Sequence, residues 1–310
     1  MSEVDAELRK ILARAAEAPP LHSLAVEEVR AVYRRLAEER VPMAPAVPWR
    51  ALELPGAAAS LPARLYEPEG AEAAPLLVFF HGGGFVMGDL ETHDPLCRRL
   101  ARRAGMRILS VDYRLGPEHP APAAYEDGHA AVLSVARTLG APFLLGGDSA
   151  GANLSAWTAR RLAGEGAPMP AGLVLVYPNV SFGHDSHSRR AFGSGYLLSS
   201  EDLAFFGRHF LQGGADPSLL EADLRGLPPS LVVTAGFDPL HDEGAALVEA
   251  LAAAGVAVDQ LDFPELVHGF ANLAHLSAGA AAAVEAIADA IARAWPPGTA
   301  RNKDAAGAAL

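Results

Sequence analysis

The nine residues Phe143-Leu144-Leu145-Gly146-Gly147-Asp148-Ser149-Ala150-Gly151 carry the clearest structural signal in this sequence. The run Phe143–Leu145 is typical of a buried strand. The residues that follow Gly151 have apolar side chains, Leu154 and Trp157, at the spacing of a helix. Residues 147–151 between them match G-x-S-x-G, whose glycines allow a sharp turn that exposes a serine hydroxyl. The order of strand, turn and helix predicts a nucleophile elbow with Ser149 at its tip.

A second glycine-rich turn, His81-Gly82-Gly83-Gly84-Phe85, follows the apolar run Leu76–Phe80. Three glycines let the backbone turn its N–H groups outward, where they can bind a developing oxyanion. A flexible turn after a strand is the plainer alternative. The presence of both motifs in one chain favours the first interpretation.

Short apolar runs alternate with amphipathic stretches from about residue 46 onward, which predicts an α/β fold with a mostly parallel sheet. The predicted strands are Leu76–Phe80, Arg107–Val111, Phe143–Leu145, Leu173–Val176, Leu231–Thr234 and Val256–Phe263. Two helices are expected before them, the second capped by Ser23. Residues 179–229 interrupt the alternation and hold a helix near Glu201–Leu211, so an inserted lid or cap is expected there.

A nucleophilic serine needs a base and an orienting carboxylate, and two residues near strand ends fit these roles. Asp238 follows the run Leu231–Thr234, and His268 follows the last predicted strand. The chain order serine, aspartate, histidine is that of α/β-hydrolases. The rival acids and bases lie in predicted helices; they are Asp242, Glu243, His241 and His275.

Composition excludes several other classes of protein. Half of the 310 residues are hydrophobic and the net charge is −12, which argues against a nucleic-acid or anionic-membrane partner. Cys97 is the only cysteine, no secretory signal begins the chain, and no apolar run approaches a membrane span, so a cytoplasmic location is expected. No metal site is predicted, because His184 and His187 have no second ligand cluster.

Five segments resemble the hormone-sensitive-lipase-like family of α/β-hydrolase esterases, in particular its bacterial members. They are HGGGF at 81–85, YRLGPEHPAPAA at 113–124, GDSAGANL at 147–154, GLPPSLVVTAGFDPLHDEG at 226–244 and HGF at 268–270. The resemblance implies an α/β-hydrolase fold with an eight-stranded, mostly parallel sheet and a helical cap. The cap would comprise residues 1–45 and 179–228, and the catalytic domain residues 46–178 and 229–297. Residues 298–310 are expected to form a disordered tail.

The resemblance also implies a site and an activity. Ser149, Asp238 and His268 would form the triad, and the N–H groups of Gly82, Gly83 and Ala150 the oxyanion hole. Members are typically carboxylesterases that act on short to medium acyl chains without a cofactor, and they are often dimers, so an acyl ester substrate and a homodimer are expected. Candidates for lining the pocket, with packing between cap and core as the alternative, are Phe85, Tyr196, Leu197, Phe205, Phe206 and Phe210.

Two other functions remain open from the sequence. The same triad could hydrolyse an amide or formamide, or act as a deacetylase. A ligand-binding receptor on this scaffold is the alternative from another class, and the presence of His268 argues against it, since receptors that resemble this family lack the catalytic histidine.

Overall fold

The apolar runs pair into one sheet in the computed structural model of the protein, which describes residues 3–39, 41–139 and 142–296. The predicted tail at residues 298–310 lies outside the described residues. Within them the strands are β1 Trp49–Pro55, β2 Ser60–Tyr66, β3 Leu76–Phe80, β4 Arg107–Val111, β5 Phe143–Asp148, β6 Gly172–Val176, β7 Ser230–Phe237 and β8 Val258–Val267. Their order across the sheet is β1-β2-β4-β3-β5-β6-β7-β8.

The sheet is parallel except at one edge, as predicted. Strand β2 runs antiparallel to both β1 and β4, and every other neighbouring pair is parallel. The sequence patterns did not indicate β1 or β2. Most residues of β1 are at least partly exposed and only Leu54 is buried, and exposed and buried residues alternate at the start of β2. The inner strands were easier to predict, since strands covered on both faces are apolar throughout.

Helices cover both faces of the sheet. They are α1 Ala6–Ala15, α2 Val26–Glu38, α3 Asp94–Ala104, α4 Ala123–Leu139, α5 Ala150–Glu165, α6 His187–Phe192, α7 Ser200–Leu211, α8 His241–Ala253 and α9 Ala278–Ala294. Alternate residues of β3 enter two separate cores. Leu76, Val78 and Phe80 join the core with α4, α5 and α8, whereas Leu77 and Phe79 join the core with α1, α3 and α9.

Three strands end where the predicted catalytic residues begin. Strand β5 runs up to Asp148, β7 to Phe237 and β8 to Val267, so that Ser149, Asp238 and His268 each follow a strand directly. The last strand was predicted too early, at residues 256–263. Because β5, β6, β7 and β8 are parallel neighbours, the carboxyl ends of β5, β7 and β8 lie at the same edge of the sheet.

The N-terminal helices contact two different parts of the fold. The N–H of Asp5, which caps α1, donates to the carbonyl of Glu265 in β8 at 2.9 Å. The helix α2 sits elsewhere, where Arg30 donates to the carbonyl of Val86 at 2.8 Å. Ser23 does not cap α2 as predicted; it ends a 3₁₀ turn, and the N-cap is Ala25.

The segment from 179 to 228 contains α6 and α7, and it touches the N-terminal region. The N–H of His22 donates to Asp202 of α7 at 3.1 Å. The division into a cap and a catalytic domain stays a prediction. No helix among the described residues has the length and apolar character to cross a membrane.

Glycine at the start of α5 is required by space, and this can be tested within one helix. A Cβ at Gly151 would lie 1.9 Å from the carbonyl oxygen of Phe80, whereas a Cβ at Gly164 would meet nothing within 4 Å. We expect Gly151→Ala to lower the free energy of unfolding by roughly 3 kcal/mol or more, and Gly164→Ala to raise it by roughly 0.5–1 kcal/mol. Urea unfolding of both variants measures the contrast, and equal effects would contradict the described contact.

Candidate active site

Ser149 occupies a strained turn between β5 and α5. Its backbone has φ of 53° and ψ of −116°, a region that residues other than glycine rarely adopt. The N–H of Ser149 donates to the carbonyl of Val176 at 2.8 Å, which holds the turn against β6. A Cβ at Gly147 would lie 2.3 Å from the Phe80 carbonyl oxygen, so both motif glycines permit the elbow to approach the end of β3.

The three predicted triad residues form one chain of hydrogen bonds. His268 Nε2 lies 3.0 Å from Ser149 Oγ, and His268 Nδ1 lies 2.7 Å from Asp238 Oδ2. The other oxygen of Asp238 accepts the N–H of Leu240 at 2.7 Å, and this carboxylate is almost fully buried. Because a carboxylate only accepts, it places the proton on Nδ1 and leaves Nε2 free to accept the serine hydroxyl.

The rival acids have other partners. Asp242 accepts the N–H of Ser188 at 2.8 Å. Glu243 is fully buried, accepts the N–H of Val180 at 2.7 Å and pairs with Arg189 at 2.8 Å. Burial raises the pKa of Glu243 to about 7, with the nearby Arg189 opposing the shift. Both carboxylates therefore join α8 to the 179–228 segment.

The rival histidines differ in position. His241 is the first residue of α8, whereas His275 lies in a turn before α9 and not in the predicted helix. Only His268 is hydrogen-bonded to Ser149 in the described part of the chain.

The glycine-rich turn differs from the prediction at one donor. The N–H of Gly82 already donates to Asp148 Oδ1 at 2.9 Å, so it is not available to an oxyanion. The amides of Gly83, Gly84 and Ala150 have no hydrogen-bond acceptor among the described residues. The sequence could not distinguish these glycines, because the difference depends on where the carboxylate of Asp148 lies.

Gly83 and Gly84 are glycines for two reasons. Both have positive φ, of 120° and 63°. A Cβ at Gly83 would lie 2.2 Å from the carbonyl oxygen of Met87, and one at Gly84 would lie 2.2 Å from the ring of Phe206. The turn is thus packed between the backbone of Met87 and the ring of Phe206 on α7.

A buried polar cluster that the sequence analysis missed lies beneath the turn. Asp148 Oδ1 is 3.2 Å from Nε2 of His93, and both side chains are buried. Tyr177 Oη lies 3.5 Å from Asp148 Oδ2. Burial raises the pKa of Asp148, but His93 and the amide of Gly82 outweigh burial and hold it below its usual range. The middle position of the G-x-S-x-G motif was the available signal for Asp148.

His81, at the start of the turn, is completely buried. Its Nδ1 lies 2.8 Å from the carbonyl of Gly82, and its Nε2 has no hydrogen-bond partner among the described residues, with Asp112 Oδ1 3.9 Å away. Burial and the neighbouring His93 lower the pKa of His81 from 6.5 to about 4. The ring is therefore neutral at pH 7, with Nδ1 donating to the carbonyl.

Two of the pocket candidates pack inside the core. The ring of Phe85 stacks on that of Phe210 at 4.2 Å, and both are fully buried. Tyr113, Tyr125 and Phe182 surround Phe85 with centroid distances of 5.5 to 6.3 Å. These contacts match the alternative in which the aromatic residues pack cap against core.

The other candidates divide between the turn and the surface. Phe206 faces Gly84, and Phe205 packs edge-on against Phe206 at 5.7 Å. Tyr196 stacks on Phe237, the residue before Asp238, at 5.5 Å. Leu197 is 38% exposed. Phe206 is thus the candidate from outside the turn whose ring lies against it, at Gly84.

Metal ligation has no support in the residues that the structure describes. Within residues 3–39, 41–139 and 142–296, no group of three or more histidine, cysteine, aspartate or glutamate side chains could hold an ion. Cys97 lies on the buried face of α3, where burial raises the pKa of its thiol.

The neutral His81 predicts acid sensitivity. Its pKa is lower in the folded than in the unfolded state, so its contribution to stability is complete above pH 6.5 and is lost as the pH falls toward 4. Between pH 7.5 and pH 4.5, we expect the wild type to lose roughly 2–3 kcal/mol more stability than His81→Asn. Denaturant unfolding at both pH values measures this, with exposed His119→Asn as the control that keeps the wild-type loss. Equal losses in all three proteins would contradict the prediction.

Comparison with known proteins identifies the family of this chain. A family model described as alpha/beta hydrolase fold matches residues 77–272, more than half of the chain. The carboxylic ester hydrolase LipN of Mycobacterium tuberculosis is 45% identical over 258 residues, which cover 77% of this chain and 69% of LipN. The esterase LipI of the same organism is 38% identical over 284 residues, covering 85% and 88%.

The solved structures point the same way. The ester hydrolase EH1AB1 from the metagenome of Lake Arreo superposes with a TM-score of 0.87 at 34% identity, covering 94% of this chain and 98% of that one. Sequence, fold and site geometry agree. The chain belongs to the α/β-hydrolase-fold family, and within it to the hormone-sensitive-lipase-like esterases.

Proposed function

We propose that this protein is a serine carboxylesterase that hydrolyses short- to medium-chain acyl esters through an acyl-enzyme on Ser149. The continuous hydrogen-bonded chain from Ser149 through His268 to Asp238 is the observation that carries the proposal. The printed names of the relatives, carboxylic ester hydrolase and esterase, support the ester as the substrate class.

Acylation begins with proton transfer from the serine. His268 Nε2 takes the hydroxyl proton while Ser149 Oγ attacks the ester carbonyl carbon, and Asp238 stabilises the imidazolium that forms. The carbonyl oxygen becomes an oxyanion, which accepts hydrogen bonds from the amide N–H groups of Gly83, Gly84 and Ala150. Losing one such donor costs about 3 kcal/mol of transition-state stabilisation.

Departure of the alcohol completes acylation, and water then hydrolyses the acyl-enzyme. His268 gives its proton to the departing alkoxide, which leaves as the alcohol, and the acyl group remains on Ser149. A water molecule then loses a proton to His268 and attacks the acyl-enzyme, and collapse of the second oxyanion releases the carboxylic acid and regenerates the serine. These steps require no metal or cofactor.

The acyl chain is proposed to lie against α7. Phe206 is buried and its ring contacts the position where a Gly84 side chain would be, so it limits the space beside the oxyanion donors. Phe205 packs against it from behind. Phe85 and Phe210 are assigned to packing between α7 and the core.

The other functions and features that the sequence left open bear on this proposal as follows. An amide or formamide substrate would use the same groups. The aligned His268 favours turnover over a receptor role, since a receptor needs no base at the serine. The cap of residues 1–45 and 179–228, the homodimer and the cytoplasmic location remain predictions.

Removal of the nucleophile tests the activity directly. We expect Ser149→Ala to lower kcat for p-nitrophenyl acetate and butyrate by at least 10³-fold, because no other group replaces the attacking oxygen. Ser155→Ala is the matched control: this buried serine of the same helix donates only to the carbonyl of Gly151 and should keep activity within about 3-fold. Turnover that survives in Ser149→Ala would exclude the proposed nucleophile.

Substitution of two phenylalanines of α7 distinguishes a residue that lines the pocket from one that packs in the core. Phe206→Ala should raise the ratio of kcat/KM for the decanoate over the acetate ester at least ten-fold, because it opens space beside Gly84. Phe210→Ala should leave this ratio unchanged and instead lower the free energy of unfolding by roughly 3–5 kcal/mol. An unchanged ratio in a folded Phe206→Ala variant would remove Phe206 from the pocket.

A further inference from the structure

The residue before the nucleophile contacts a catalytic loop that is distant in sequence. We propose that Asp148 and His93 form a buried positioning pair that holds the oxyanion turn in register with the nucleophile elbow. This inference rests on the proposed function, since it assigns the pair to the same reaction. Neither side chain faces the substrate, so both would act through the backbone amides that they align.

Asp148 joins the two halves of the oxyanion site. Its carboxylate accepts the N–H of Gly82 at 2.9 Å, and Gly82 directly precedes the amides of Gly83 and Gly84. Its backbone continues into Ser149 and Ala150, which supplies the third amide. One buried carboxylate therefore fixes the distance between donors on two separate loops. A Cβ at Gly82 would lie 2.6 Å from this carboxylate, which shows how closely the turn approaches it.

His93 contacts the same carboxylate. It precedes α3, its side chain is fully buried, and its Nε2 lies 3.2 Å from Asp148 Oδ1. Its Nδ1 lies 3.0 Å from Thr92 Oγ1, whose hydroxyl donates to the carbonyl of Asp89. Both ring nitrogens of His93 are therefore engaged, one by the Asp148 carboxylate and the other by the Thr92 hydroxyl.

The same pair reaches the loop of the catalytic histidine. Asn272, in the 3₁₀ turn Phe270–Leu273 that follows His268, has its Nδ2 3.4 Å from His93 Nε2. The ring of Tyr177, whose hydroxyl lies near Asp148, is 4.8 Å from the His268 ring. The pair therefore lies where the loops after β3, β5 and β8 meet.

This placement has a consequence for catalysis that differs from its consequence for stability. Oxyanion donors act only when they lie within hydrogen-bond distance of the developing charge. A small displacement of the turn therefore weakens the binding of the transition state more than the binding of the substrate. If the pair had a purely structural role, its loss would lower stability without changing the preference of the site for a carbonyl oxygen over a thiocarbonyl sulfur.

The experiment compares an oxygen ester with its thionoester, in which sulfur replaces the carbonyl oxygen. Sulfur is a weak hydrogen-bond acceptor, so an intact oxyanion site favours the oxygen ester and a displaced one loses that preference. The variants are Asp148→Asn, His93→Gln and the double variant. The double variant removes the carboxylate together with its histidine partner, so that neither buried group is left without the other if a single variant fails to fold.

The matched control is Asp127→Asn in α4. Asp127 is also a fully buried carboxylate; it pairs with Arg114 at 2.7 Å and accepts the backbone N–H groups of Ala57 at 3.0 Å and Arg114 at 3.2 Å. Its loss should lower the melting temperature while kcat/KM for the oxygen ester stays within about 3-fold of wild type.

We expect each folded Asp148 or His93 variant to lose at least ten-fold in kcat for the oxygen ester with little change in KM. The ratio of kcat/KM between oxygen ester and thionoester should fall at least five-fold. An unchanged ratio in the folded variants, whether or not both activities drop, would overturn the positioning role while leaving the esterase assignment intact. A wild-type protein that hydrolyses neither ester would overturn both proposals.

Discussion

The start of α5 approaches the end of β3 so closely that only glycine fits between them, and the geometry of the site depends on this contact. Gly147 and Gly151 both face the carbonyl of Phe80, the last residue before the glycine-rich turn. The contact brings the nucleophile elbow and the oxyanion turn side by side, although some seventy residues separate them in the chain. The strained backbone of Ser149 persists because strands on both sides hold it.

Parallel strand pairing completes the arrangement. Strands β5, β7 and β8 all point their carboxyl ends toward the same edge, so residues that directly follow them can meet without long loops. Asp238 and His268 need only one residue each beyond their strands to do so. The buried pair of Asp148 and His93 then occupies the space beneath the three loops, where an unpaired charge would be costly and a paired one is held firmly.

The sequence predicted those features that depend on local pattern. Ser149, Asp238 and His268 could be located because each combines a chemical type with the end of an apolar strand. Strand β1 could not be located, since a largely exposed edge strand has no continuous apolar run. The donor role of Gly82 was misplaced for a different reason: which amide of three consecutive glycines is free depends on the position of the Asp148 carboxylate. The role of His93 depends on a contact across 55 residues, which no local pattern records.

The attachment of α1 has a consequence for how the chain folds during synthesis. Leu8 of α1 is completely buried in the core with α9, and the Asp5 amide binds the carbonyl of Glu265. Ser277, at the start of α9, also donates to Asp5, 272 residues earlier in the chain. The apolar face of α1 therefore stays uncovered during synthesis until these later elements have been made.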